Sequence, residues 1–342
     1  MKTFTLNNFR LFFVSFLTLT AISFPTSVAA LLLRGGGDSF AEPLLQRYSQ
    51  EYEQQTGQQF KYSTLGSGGG IRLLASQTVD FAGTSLIPTP IERNQIEDGL
   101  LMVPIGGGSL SIVYNLKNIT RDMTTDVKLS REKLVQIFTG EVSNWKQINP
   151  NFPNQKIEVI VCSGSCATSF ILTKYLNQIS GGKIPASREP NWGFRFFSSQ
   201  LEGGGIAGEV RRIDGAIGYV PTRLAREQEL SIASLENGEG RYVKPTLEET
   251  QKALLNVEFN DDFTTDDVKD PKEGYPLVSL TWLLIYKRYV NEDQLIATKN
   301  LLTWILTEGQ ELNEQLEYTR IPEDVTIEIL EAVNNELRMR PY

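Results

Sequence analysis

Leu31-Leu32-Leu33-Arg34-Gly35-Gly36-Gly37-Asp38-Ser39-Phe40-Ala41-Glu42-Pro43 opens the part of the chain that reads as globular. The three leucines read as a buried strand and the glycine run as a tight turn. Pro43 belongs in a first helical turn, where its missing N–H leaves nothing unpaired. Leu44, Leu45, Tyr48 and Tyr52 then share one helical face, and Thr56-Gly57 ends the helix. The same unit of strand, small-residue turn and helix recurs. Phe60-Lys61-Tyr62-Ser63 leads through Gly66-Ser67-Gly68-Gly69-Gly70 into a helix at 71–77. A strand at 157–161 leads through Ser163-Gly164-Ser165-Cys166-Ala167-Thr168 into a helix at 169–177. Further strands are expected at 79–85, 101–103, 109–115, 216–220 and 275–287, and further helices at 133–139, 293–307 and 322–337. Strands alternating with helices specify an α/β fold with parallel or mixed sheets covered on both faces.

Composition narrows the function. The 342 residues are enough for two domains. There is no histidine, so neither a Ser-His-Asp or Cys-His mechanism nor a histidine-ligated metal site can be built. No P-loop lysine pattern or Gly-x-Ser-x-Gly elbow is present, no pair of acids is marked out, and neither an enzyme, a cofactor nor a metal is expected. The net charge of −8 argues against a nucleic-acid partner. The first thirty residues differ from the rest: Lys2 and Arg10 precede an apolar run, and Ser27-Val28-Ala29-Ala30 has the form of a cleavage site. Residues 1–30 therefore read as a signal peptide, with no cysteine at the cleavage site for a lipid anchor.

The three turns share one chemistry. Small residues let backbone N–H groups approach a ligand, and each following helix start adds unpaired donors and the positive end of a dipole. In open α/β sheets such turns gather at the carboxyl ends of the strands, where ligands bind. Ser39, Ser67, Ser85 and Thr168 would add hydroxyl donors, so three turns in this order favour an oxyanion site.

At these turns the sequence resembles the periplasmic phosphate-binding proteins of ABC phosphate importers, the PstS family. Gly35 to Pro43 is similar to that family's Gly-x-Gly-x-Ser/Thr-Phe-Pro-x-Pro, and Leu65-Gly66-Ser67-Gly68-Gly69-Gly70-Ile71 to its Ile-Gly-Ser-x-Gly-Gly turn. Thr78-Val79-Asp80-Phe81, Val103-Pro104-Ile105-Gly106-Gly107, Ile137-Phe138-Thr139-Gly140 with Trp145 and Asn149-Pro150, Gly215-Ala216-Ile217-Gly218-Tyr219-Val220 and Arg340-Pro341-Tyr342 extend the resemblance over nearly the whole mature chain. It implies a two-lobed, type II-like solute-binding fold with the ligand cleft between lobes joined by two crossings. Lobe one would comprise 31–110 plus 281–342, and lobe two 111–280. A periplasmic monomer would bind a small anion, phosphate by inheritance, and hand it to a membrane permease; the alternatives are the same fold binding sulfate or a phosphate ester, or a non-transport phosphate-sensing or adhesion module. Carried over residue by residue, the ligand would meet Ser39, the Phe40 backbone, Ser67 and Gly68, with Ser85 on the first lobe and Ala167 and Thr168 on the second.

The departures concern charge. Where the family has an Asp that accepts the proton of hydrogen phosphate, this chain has Ser85, so discrimination against sulfate should weaken. The family's Arg-x-Asp-Gly-Ser-Gly-Thr aligns with Cys162-Ser163-Gly164-Ser165-Cys166-Ala167-Thr168, so Arg becomes Cys162, its Asp partner becomes Gly164 and a donor Ser becomes Cys166. Neither charge is orphaned, yet a charge-assisted contact of about 1.5–3 kcal/mol is removed from the anion. Arg195 reads as a solvated surface residue rather than a replacement cation. Cys162 and Cys166 are the only cysteines, and in an exported protein a disulfide between them is expected.

Overall fold

The computed structural model describes residues 31–117, 126–200, 203–255, 257–265 and 270–341; the expected signal peptide, 1–30, lies outside them. Strands β1 (Leu33–Gly37), β2 (Phe60–Thr64) and β3 (Phe81–Thr84) run parallel with β1 in the middle. Helix α1 (Glu42–Thr56) follows β1, α2 (Ser67–Ala75) follows β2 and α3 (Pro90–Asn94) follows β3. The glycines are more ordered than a turn reading implies, because Gly35, Gly36 and Gly37 complete β1 and Gly68, Gly69 and Gly70 lie in the first turn of α2. A close backbone approach explains this. A Cβ on Gly37 would lie 2.2 Å from the Gly83 carbonyl oxygen, and one on Gly70 2.8 Å from that of Gly36. Only glycine lets the start of α2 rest on β1 and β3.

Next come β4 (Leu100–Tyr114), β5 (Lys128–Leu129), α4 (Arg131–Phe138), β6 (Glu158–Cys162), α5 (Ala167–Ile179), β7 (Ser198–Gln200), α6 (Gly203–Arg212), β8 (Ala216–Pro221), α7 (Thr222–Glu227), β9 (Ser231–Ile232), β10 (Ser234–Glu236), β11 (Tyr242–Val243) and α8 (Leu247–Leu254). The chain ends in β12 (Val278–Tyr286), β13 (Arg288–Tyr289), α9 (Glu292–Leu306), α10 (Gln310–Asn313), α11 (Glu323–Glu336) and β14 (Arg338–Met339). Among the described residues the main sheet has the order β2-β1-β3-β12-β4-β8-β6-β7, with β9 paired to β4.

β4 is one strand where the sequence pattern indicates two, and its partner changes part-way. From residue 100 to 109 it runs antiparallel to β12, and from 110 to 114 antiparallel to β8. Its pairing therefore joins the strands around β1 to those around β6. The C-terminal helices pack back on the first elements: Trp304 of α9 lies 5.7 Å from the Tyr48 ring and 5.3 Å from the Tyr52 ring of α1. Buried Asn313 ties the same tail to β4, donating to the Ile105 carbonyl at 2.9 Å and accepting from the Tyr48 hydroxyl.

Candidate anion-binding cleft

The first side of the cleft is built where β1, β2 and β3 end. Asp38 follows Gly37 directly, and its N–H donates to the Gly83 carbonyl at 3.0 Å. Its side chain is 1% exposed. The Phe40 N–H donates to one carboxylate oxygen at 3.0 Å and the Ser85 hydroxyl to the other. Ser67, fully buried at the start of α2, accepts the Ser85 N–H at 3.1 Å. Burial pushes the Asp38 carboxyl above the usual carboxylate range, against the pull of hydrogen bonds from Ser85, Phe40 and Ser67. Phe40 is fixed by an edge-on contact with Tyr318, whose hydroxyl donates to the Phe40 carbonyl.

The second side is the turn between β6 and α5. Cys162 and Cys166 form a disulfide with Cα atoms 6.4 Å apart. The turn is anchored at both ends. The Cys162 N–H donates to the Tyr219 hydroxyl at 2.9 Å, and that hydroxyl also shares a 2.8 Å bond with Ser169. Burial pushes the Tyr219 phenol up to about 12, so it stays protonated and can serve both partners. At the other end the Cys166 N–H donates to the Arg188 carbonyl at 3.0 Å. No side chain caps α5, whereas Thr246 caps α8 and Asn291 caps α9. First-turn amides without a side-chain cap are open to an anion; the starts of α1, α2, α7 and α11 also lack such a cap.

The two sides meet. A Cβ on Gly68 would lie 2.8 Å from the Ser165 hydroxyl oxygen, so the α2 turn and the disulfide turn are in contact. Between them is a cavity of about 270 Å³ lined by Asp38, Ser39, Leu65, Gly66 and Arg72 on one side and by residues 162–168 on the other. Ser39, Cys162, Gly164, Cys166, Ala167 and Thr168, singled out from the sequence, all line it. Phe40, Ser67 and Ser85 do not, and their donors are directed at the Asp38 carboxylate instead. Gly68 faces Ser165 rather than the cavity.

Of the lining residues that the sequence reading did not single out, two carry charge: Asp38 and Arg72. Asp38 was hidden as one polar residue in a small-residue turn; its position between β1 and α1 was the available signal. Arg72, one turn into α2, is the cation at the rim of the cavity, while Arg195 is exposed and does not line it. A second arginine, Arg188, spans the cleft: its guanidinium holds Glu92 at 2.8 and 3.1 Å and donates to the Ile87 carbonyl at 2.8 Å. Burial opposes ionisation of Glu92, but hydrogen bonds from Thr89 and the Arg188 charge together hold its carboxyl below the usual range.

Residues 25–308 match the family model described as a PBP superfamily domain. The phosphate-binding protein PstS of Haemophilus influenzae is 30% identical over 324 residues, covering 90% of this chain and 93% of that one. The chain belongs to the PstS family. The PstS of Pasteurella multocida is 28% identical, covering 92% and 94% of the two chains, and that of Methanocaldococcus jannaschii is 29% identical, covering 90% and 86%. Among solved structures, a high affinity periplasmic phosphate-binding protein bound with phosphate superposes with a TM-score of 0.77 at 18% identity, covering 91% of this chain and all of that one. An ABC-type phosphate transport receptor from Vibrio cholerae superposes with a TM-score of 0.56 at 20% identity, covering 85% of this chain and 100% of that one. These neighbours share the two-lobed α/β fold with this chain, and among the described residues no helix is long and apolar enough to cross a membrane.

Proposed function

We propose that this PstS-family chain is the exported solute-binding component of an ABC importer, holding inorganic phosphate in the cleft and delivering it to a membrane permease. The observation that carries this reading is the uncapped start of α5 at Ala167 and Thr168, opposite Ser39, Gly66 and Arg72 across one cavity. Backbone amides at a helix start hold a dianion without an opposed cation, so the site does not depend on an arginine at position 162. Ala167, Thr168 and Ser39 contact the ligand directly. Phe40, Ser67 and Ser85 act through Asp38, and the disulfide holds the turn in the shape that an Arg–Asp pair would otherwise maintain.

The lobes are 31–110 plus 281–342 and 111–280. The change of β4 partner between residues 109 and 110 supports the first crossing, and the pairing of β12 with β3 and β4 supports the second. Hinge closure about these crossings buries the anion and presents a changed surface to the permease.

Isothermal calorimetry on the oxidised mature protein tests the reading. Saturable binding of one phosphate per chain is expected. A folded protein that takes up no phosphate at millimolar concentration overturns it.

A further inference from the structure

We propose that the cleft also takes phosphate monoesters of neutral polyols: the phosphoryl group sits at the start of α5, and the hydroxylated organic group fills a second chamber beside α1. The proposal rests on the phosphate reading and widens the substrate class of that site.

The space exceeds what one phosphate fills. Its heavy atoms take the room of two or three waters, roughly 60–90 Å³ at about 30 Å³ each. The cavity at the start of α5 measures about 270 Å³. Beyond Ser39 lies a second cavity of about 450 Å³. Among the described residues Ser39 alone lines both, so the two meet at a hydroxyl. One wall of the second chamber is α1, from Glu42 to Gln50. The other is the start of α6 with Pro221, Leu224 and Glu227. An occupant is therefore held by both lobes.

The lining favours hydroxyl groups over hydrocarbon and over further negative charge. Gln46 and Gln50 are exposed on α1, and each amide can both donate and accept. Arg47 pairs with Glu51 and Glu227 with Arg223, each at 2.7 Å, whereas Glu42 is held by the neutral Gln46 amide at 3.0 Å. The unbalanced charge in the chamber is negative. It accepts the O–H groups of a polyol and repels a second phosphoryl or carboxylate group. Gly204 keeps the far wall clear. A Cβ there would meet no atom within 4 Å, and its φ is not left-handed. Neither packing nor backbone conformation calls for glycine at this position, and glycine weakens a helix. Its effect is to leave open the chamber that it lines.

Calorimetry with phosphate, glycerol 3-phosphate and glucose 6-phosphate, on wild type and on Gly204→Leu, tests this. Wild type is expected to bind at least one ester within about threefold of phosphate or more tightly. Gly204→Leu fills the chamber and should weaken that ester by about thirtyfold while phosphate stays within about threefold. Gln46→Leu, at an exposed position of α1, should weaken the ester by about fivefold; with thermal melts on both variants it guards against a folding defect in the first. Wild-type protein that binds phosphate but takes both esters more than about a hundredfold less tightly overturns the proposal and leaves phosphate binding standing. So do folded variants in which ester and phosphate affinities change in equal proportion or not at all. An ester bound where phosphate is not upholds the chamber and overturns the inorganic-phosphate reading. If no folded form binds any of the three, the functional reading fails and the proposal with it.

Discussion

The two sides of the cleft are built differently. The side formed by β1, β2 and β3 is rich in side-chain polarity: one buried carboxylate gathers a backbone amide and two serines, and every member is engaged within the protein. The side formed by the β6–α5 turn carries no charge at its lining positions and offers backbone amides in a shape held by a disulfide and by Tyr219. The first side sets a buried acceptor, Asp38, against the cavity. The second sets the start of a helix without a side-chain cap against the same cavity. A cluster built on side chains and a turn built on backbone thus face each other across one cavity.

The largest disruption of the first wall is expected from Gly37→Ala. Its φ of +142° and the 2.2 Å approach to Gly83 leave no room for a Cβ. A loss of about 3 kcal/mol in unfolding free energy by chemical denaturation is expected; an unchanged midpoint would show that the β1–α2 contact is not what seats Asp38. On the second wall, Cys162→Ser with Cys166→Ser removes a constraint on a short loop, for which at most about 2 kcal/mol of stability is expected. Phosphate affinity should fall by about tenfold, since the amides lose their alignment. Unchanged affinity in the double variant would show that the disulfide does not hold those amides in place.

Arg188 ties the walls together through Glu92, so Arg188→Ala should weaken phosphate binding by about fivefold, mainly through faster release. The pH dependence has a definite sign. Glu92 is held below its ordinary value when folded, so its contribution is complete above the usual carboxylate range and is lost as pH falls through the lowered value. A melting curve against pH should show wild type losing more stability than Arg188→Ala in that acid window; parallel curves would remove the tie. The smallest effect belongs to Arg72→Ala at the exposed rim, about twofold in affinity and vanishing at high salt. Salt-independent loss would place Arg72 on the ligand rather than at the rim.

Much of this was legible along the chain. The strand–turn–helix units at 31–57, 60–77 and 157–177 correspond to β1–α1, β2–α2 and β6–α5, because alternation and helical periodicity are local properties. The paired cysteines and Thr168 were legible for the same reason. The boundaries within glycine runs were not: Gly35, Gly36 and Gly37 became strand, and Gly68, Gly69 and Gly70 helix, owing to a backbone contact with β3 more than ten residues away. The continuity of β4 was likewise decided by its two partners.

The sequence by itself determined the fold class, the family and the lining residues of the second wall, since those depend on residue order and on neighbours within one turn. It also showed that position 85 carries a hydroxyl in place of an acid. Only the tertiary structure decided that an acid is still present there. Asp38 and Ser85 are 47 positions apart, and their contact exists because β1 and β3 lie side by side and end together.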